Sequence, residues 1–177
     1  MKTHKNLFLF VFGIFILSIF SVFTYYVKNG EFVKWSHSWV TKDNEIFFEQ
    51  KTPIYLGYSL DWNGIGKPVI KDILFLKEDG TDIKEEKDQI EIIPFIIDED
   101  FGSMFYEVDA TEEGVVEQLR PVGNYKVTNE KLEIVLKVQL KDNNWDEDIA
   151  KMVIEYKNLG IPRKQTIHFD GIIDKDS

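Results

Sequence analysis

Cysteine is absent from this chain of 177 residues. That excludes a disulfide scaffold, a thiolate zinc site, a cysteine nucleophile and a lipid anchor attached through sulfur. Histidine is scarce: only His4, His37 and His168 occur, with no H-x-x-x-H spacing among them, so histidine supplies no metal-ligand set. Basic residues are in deficit, 21 against 31 acidic, for a formal charge of −10. Nucleic acid is thereby excluded as a partner, because its phosphates need a basic face. Neither G-x-S-x-G nor S-x-x-K at a helix start is present, and no cofactor motif is found, so the chain is not read as an enzyme.

What is present divides into two unlike parts. Residues 1–30 hold Lys2, Lys5 and Lys28, no acid, and six of the 14 Phe. Residues 7–27 form a run of 21 uncharged, mostly apolar positions. As a helix this run would be about 32 Å long, close to the hydrocarbon thickness of a bilayer. Tyr25 and Tyr26 close it, where aromatic rings favour the headgroup layer. A cleaved signal peptide would be shorter and would end in small residues, and Phe23, Thr24, Tyr25 and Tyr26 offer none. The expectation is a cytoplasmic head (residues 1–6), a transmembrane signal-anchor helix (7–27), a juxtamembrane stalk (28–44) and an extracytoplasmic domain (45–177). The N-terminus would be cytoplasmic and the C-terminal domain outside the cell membrane, following the positive-inside rule. In the stalk, Trp35 and Trp39 are expected to anchor in the membrane interface.

From residue 45 onward the apolar period is two. In residues 131–141, Leu132, Ile134, Leu136, Val138 and Leu140 alternate with polar residues, Val135 being the exception; half-buried antiparallel strands show this pattern. Residues 151–157 repeat it with Met152, Ile154 and Tyr156, and the two segments are read as a hairpin. Ile54, Leu56, Tyr58, Leu60 and Trp62 share a face in residues 53–62, and residues 69–77, 89–97, 164–169 and 46–49 add further strands. Pro94 assigns its strand to an edge or a bulge. Asp109 and Glu112 suggest a helix start, with Pro121 as its stop. About seven strands predict a mainly β fold: an antiparallel immunoglobulin-like β-sandwich. Gly123-Asn124-Tyr125 is similar to the segment of a tyrosine corner.

Candidate contact residues are few. Trp145 stands mid-loop among Asp142, Asp146 and Asp148, where an exposed ring could meet a ligand or partner and the carboxylates could hold calcium. A second acidic cluster is at residues 98–100. The loop at 142–148 lacks the glycine and the final glutamate of an EF-hand. Trp62 precedes an Asn-Gly turn, and its register makes it a core plug as readily as a binding residue. His168 faces away from Ile167 and Phe169 on its strand.

Lys2 and Lys5 ahead of a Phe- and Ile-rich span, GYSLDWNGIGKP at residues 57–68 and EYKNLGIP at 155–162 together resemble small single-pass surface proteins of low-GC Gram-positive bacteria. The resemblance implies membrane anchoring through residues 7–27 and an extracytoplasmic β domain, and carries over no site residues. The functional expectation is a membrane-anchored binding or interaction module with a surface or membrane protein as possible partner. The alternatives are an anchored or secreted hydrolase built around His168, and a calcium-stabilised structural module in which 142–148 and 98–100 meet at one end.

Overall fold

The computed structural model describes residues 2–28, 30–86, 89–101, 104–142 and 149–174. Helix α1 spans Lys2–Lys28. Ile14, Phe15, Ile16 and Leu17 of this helix point outward, together sweep a full turn, and are all at least half exposed. A Cβ added at Gly13 would meet nothing within 4 Å. Among the described residues no helix is long and apolar enough to cross a membrane.

Among the described residues nine strands follow, in two antiparallel sheets. The first sheet contains β1 (Glu31–His37), β2 (Ile54–Asn63), β7 (Lys131–Leu140), β4 (Ile90–Ile97) and β6 (Arg120–Pro121), in the order β1-β2-β7-β4-β6. Strand β5 (Met104–Tyr106) continues the β1 edge of β2 through Ile54, Tyr55 and Leu56. The second sheet runs β3 (Val69–Leu76), β8 (Lys151–Asn158), β9 (Ile161–His168). The inward faces of both sheets meet in one apolar core containing Leu56, Tyr58, Leu60, Ile73, Phe75, Ile134, Leu136, Ile154 and Phe169. The fold is therefore mainly β and sandwich-like, as the period-two pattern requires.

Several local expectations are corrected. Strands β7 and β8 do not pair: β7 lies between β2 and β4, and β8 between β3 and β9. The two strands belong to different sheets, and their apolar faces meet across the core. Val135 is not solvent-facing but 0% exposed, because Phe101, Phe105, Ala110, Val115, Val116 and Leu119 cover the outer face of the first sheet. There Tyr55, Ile97, Phe101, Ala110, Val115 and Val135 form a second apolar cluster. Residues 31–37, expected in a stalk, are the edge strand β1, antiparallel to β2 with Phe32 opposite Trp62. Residues 46–49 are not a strand: α2 (Glu45–Phe48) is a helical turn whose Asn44 cap accepts the Phe47 N–H through Oδ1. Helix α3 (Glu107–Glu112) begins before Asp109, and Gly114 at φ +71° ends it. Pro94 lies beyond the two residues of β4 that pair with β6, where its missing N–H leaves no ladder bond unmade.

Candidate functional site

The end of the sandwich where α1 leads in carries two open clefts. Trp62 ends β2 there, and its indole N–H donates to the Gly66 carbonyl at 3.1 Å. The ring packs against Phe32 (centroids 4.9 Å apart) and Tyr156 (5.6 Å). Gly30 and Gly64 lie so near it that a Cβ at either would come within 2.6–2.7 Å of the ring. The Tyr156 hydroxyl donates to the Gly30 carbonyl at 3.0 Å. The residue that follows α1 and Asn29 is thus fixed to the core through Trp62 and Tyr156. Trp62, 8% exposed, is a core plug with one edge on an open cleft.

That cleft, about 400 Å³, is lined by Trp62, Gly64, Gly66, Lys67, Pro68 and residues 127–130. A second, of about 270 Å³, shares Asn129 and Glu130 and extends over Asp98, Asp100, Tyr125, Lys131 and Glu133. Three of its carboxylates, Asp98, Asp100 and Glu133, are engaged. Asp98 accepts from the Tyr125 hydroxyl at 2.6 Å and pairs with Arg120 at 2.8 Å. Asp100 pairs with Lys131 at 3.2 Å. Burial, then the bond to Asp98, pushes the Tyr125 phenol up to about 12. Tyr125 makes no tyrosine corner: its hydroxyl reaches a side chain, and it precedes β7 rather than β8. Glu133 is buried beneath the cleft and accepts from the Ser59 hydroxyl at 2.7 Å; the Ser59 and Ser36 hydroxyls lie 3.0 Å apart. Burial holds the Glu133 carboxyl above the usual carboxylate range, Asp100 and Asp61 adding to the rise and Ser59 and Lys131 opposing it.

A separate polar cluster closes the seam between β1 and β9. Asp170 pairs with Lys34, and its carboxylate lies 3.8 Å from His37 Nε2 and 3.5 Å from His168 Nε2. Burial, then the neighbouring Lys34 charge, depresses the His37 pKa. Burial lowers Lys34 as well. The groups gathered with His168 are thus Asp170, Lys34 and His37, while the Ser36 and Ser59 hydroxyls bond on the other face of the first sheet. Among the described residues no three His, Asp or Glu side chains converge to hold a metal.

Of the residues singled out from sequence, Trp145, Asp146 and Asp148 lie outside the described residues. Asp142 follows β7, its backbone N–H donating to the Gln89 carbonyl at 3.0 Å. Asp98 and Asp100 follow β4, which is antiparallel to β7. Asp142 therefore lies at the opposite end of the sheet from them, roughly a strand length or 25 Å away, so it does not meet the 98–100 cluster. Trp35 is the bulged residue of β1, exposed, with the Lys131 ammonium 4.8 Å from its ring centroid. Trp39 packs on His37 at 5.1 Å. Sequence reasoning missed the partnership of Glu133 with Ser59 and of Asp98 with Tyr125, which join positions 74 and 27 residues apart. Comparison with protein-family models, curated proteins and solved structures finds no match.

Proposed function

We propose that the chain is a membrane-anchored, extracytoplasmic interaction module: α1 sits in the bilayer and holds an immunoglobulin-like domain outside the cell. The carrying observation is the outward exposure of Ile14, Phe15, Ile16 and Leu17 on all sides of α1. A helix apolar all round and packed on nothing matches hydrocarbon, not water. The hydroxyls of Ser18 and Thr24 donate to the carbonyls of Ile14 and Phe20, four residues back, which satisfies them without water. The uncharged run of residues 7–27 supports the same reading. The resemblance to single-pass Gram-positive surface proteins agrees with it.

The immunoglobulin-like reading is supported by strand order. With β1, β2, β3, β4, β7, β8 and β9 taken as A to G, one sheet reads A-B-E-D and the other C-F-G. That is the constant-type arrangement; β5, α3 and β6 are insertions between D and E. Interaction is favoured over hydrolysis because Asp98, Asp100 and Glu133 of the open clefts are held in ion pairs and hydrogen bonds, and among the described residues the Tyr58 hydroxyl reaches His168 at its backbone carbonyl, 3.4 Å away, not at its ring. The test of topology is protease added to intact cells, which should remove a C-terminal tag. A protected tag, or protein free in the medium, overturns the reading. Crosslinking on intact membranes, then purification through the tag, should return a specific protein partner.

A further inference from the structure

We propose that the corner of the sandwich nearest α1, built from the β2–β3 turn (residues 64–68) and the β8–β9 turn (159–160) with its flanks, is a second membrane contact that seats the domain on anionic lipid headgroups. The inference rests on the anchored reading of α1 and adds the orientation of the domain.

Three observations converge on this corner. The first is position. Gly30 is only two residues beyond the end of α1, so its Cα lies within about 7 Å of that of Lys28. Gly30 is fixed to Trp62, Gly64 and Tyr156 at the base of both turns. The two turns also hold each other: the Asn158 side-chain N–H donates to the Ile65 carbonyl at 2.9 Å, and Gly66 lies against the Leu159 side chain. A helix ending at the bilayer surface therefore delivers this corner to the headgroup layer.

The second is apolar exposure. Ile65, Leu159 and Ile161 are 47%, 50% and 43% exposed, whereas Ile70, Ile73 and Ile154 of the adjoining strands β3 and β8 are fully buried. Leu159 holds φ +50° at the turn, an unusual backbone state for a leucine. Apolar side chains on adjacent turn tips suit insertion among headgroups and upper acyl carbons.

The third is charge. The domain is strongly acidic, yet residues 62–71 and 156–169 contain no acid and carry Lys67, Lys71, Lys157, Arg163 and Lys164. Of the acids at this end of the molecule, Asp98 and Asp100 are paired with Arg120 and Lys131; Glu31, Asp61, Glu99 and Glu130 also belong to the first sheet or the segments next to its strands. Lys164 is paired with Glu155 at 3.2 Å, so the second-sheet corner presents Lys67, Lys157 and Arg163 around three apolar tips, a local basic patch complementary to anionic lipid. By contrast, β1 carries Trp35 roughly 16 Å from Gly30 along the strand, so the turn tips rather than the tryptophans are placed at the surface.

The chain has no cysteine, so single substitutions label one site each. The full-length protein is reconstituted in vesicles of phosphatidylcholine and phosphatidylglycerol bearing headgroup or acyl-chain nitroxides. A polarity-sensitive fluorophore is placed through Leu17→Cys, Ile65→Cys, Leu159→Cys or Glu78→Cys, the last at the far end of β3. The Leu17 label should lose emission to acyl nitroxide, the Ile65 and Leu159 labels to headgroup nitroxide, and the Glu78 label to neither. Replacing phosphatidylglycerol with phosphatidylcholine, or adding Lys67→Glu with Lys157→Glu, should restore emission at Leu159 while leaving Leu17 quenched. If Leu17 is quenched and Ile65 and Leu159 match Glu78, the domain stands off the membrane; docking is overturned while the anchor stands. If Leu17 is unquenched, the anchor reading fails and docking with it. Self-quenching of Leu159 labels between copies, without lipid quenching, identifies a homomeric face instead and also overturns the proposal.

Discussion

The Gln165 side chain clamps the backbone of Phe32 at two points. Its Oε1 accepts the Phe32 N–H and its Nε2 donates to the Phe32 carbonyl, both at 2.7 Å. Residues 165 and 32 are on the facing edges of different sheets, so one primary amide supplies the pairing that a neighbouring strand would give. Phe32 itself is 2% exposed. The clamp thus closes the open seam of the sandwich where β1 begins, and Asp170 with Lys34 closes it further along.

Gln165→Leu should therefore weaken the domain by more than a surface change would. It leaves a backbone donor and an acceptor at a buried residue without partners, at a cost of about 1–3 kcal/mol for each group left unsatisfied. Amide exchange at Phe32 should quicken before that of β7. Unchanged exchange at Phe32 together with unchanged denaturation would show that the clamp is unimportant.

Along β7, the strand is buried on both faces, so adjacent truncations should both be costly. Leu136→Ala should cost ~2–5 kcal/mol. Val135→Ala, on the covered outer face, should cost more than ~1 kcal/mol. Lys137, paired with Glu107 at 2.6 Å on a partly exposed site, should cost under ~1 kcal/mol when changed to Ala. Chemical denaturation of the three variants reads this directly, and a Val135→Ala loss as small as that of Lys137→Ala would contradict the outer layer.

At Gly64 a Cβ would lie 2.6 Å from the Gly30 Cα and 2.7 Å from the Trp62 ring. Backbone cannot yield as a flexible side chain can. Gly64→Ala should cost about 1–3 kcal/mol and alter Trp62 fluorescence. Gly123→Ala, where a Cβ meets nothing within 4 Å, is the control; equal losses at the two sites would refute the close approach.

Glu133 supplies a pH dependence of defined sign. Its folded pKa is raised, chiefly by burial, so the folded state binds a proton more readily than the unfolded chain. Its contribution is favourable below the unfolded value near 4.5 and is lost as pH rises through the folded value. Glu133→Gln keeps an acceptor for Ser59 without the charge. It should stabilise the domain at pH 7 by up to about 1 kcal/mol, the advantage shrinking toward pH 4. Melting temperatures across that range provide the check, and a variant less stable than the parent at pH 7 would be the contrary result.

His37 titrates in the opposite sense and in a separate window. Its pKa is depressed by burial and by Lys34, so stability is present above about 6.5 and falls as pH drops through the lower folded value. Asp170 and His168, with Tyr58 beneath, are the other polar groups of the seam. His37→Gln should flatten the stability profile between pH 7 and 5; an unaltered slope would assign it elsewhere.

The inward faces of β2, β7, β8 and β9 were legible because alternation fixes the face of a half-buried strand. Alternation does not name the neighbour, which is why β7 and β8 looked like a hairpin when they belong to different sheets. It also fails where both faces are covered: Val135 read as an irregularity, yet it marked the outer layer. Strand β1 was concealed by its own bulge at Trp35. Phe32 and Lys34 face in before it and His37 after it, so no single period runs through the segment. At α2 the signal was present, since Asn44 before Glu45 is a capping pair. The clefts were not legible, because Asp98 with Tyr125 and Glu133 with Ser59 are brought together only by sheet order.

The chain enters the domain at Gly30 and leaves it at residues 172–174, which pair with Val40 beyond the other end of β1. Strand β1 is seven residues long, roughly 23 Å, and spans most of the distance between these two points. Tension applied between α1 and residue 174 therefore pulls along β1. The β1–β2 hydrogen bonds lie across that direction, so they are strained in parallel and must break together, as in shear, rather than in succession, as in peeling. The Gln165 clamp stands at the loaded end of the strand, where rupture would otherwise begin.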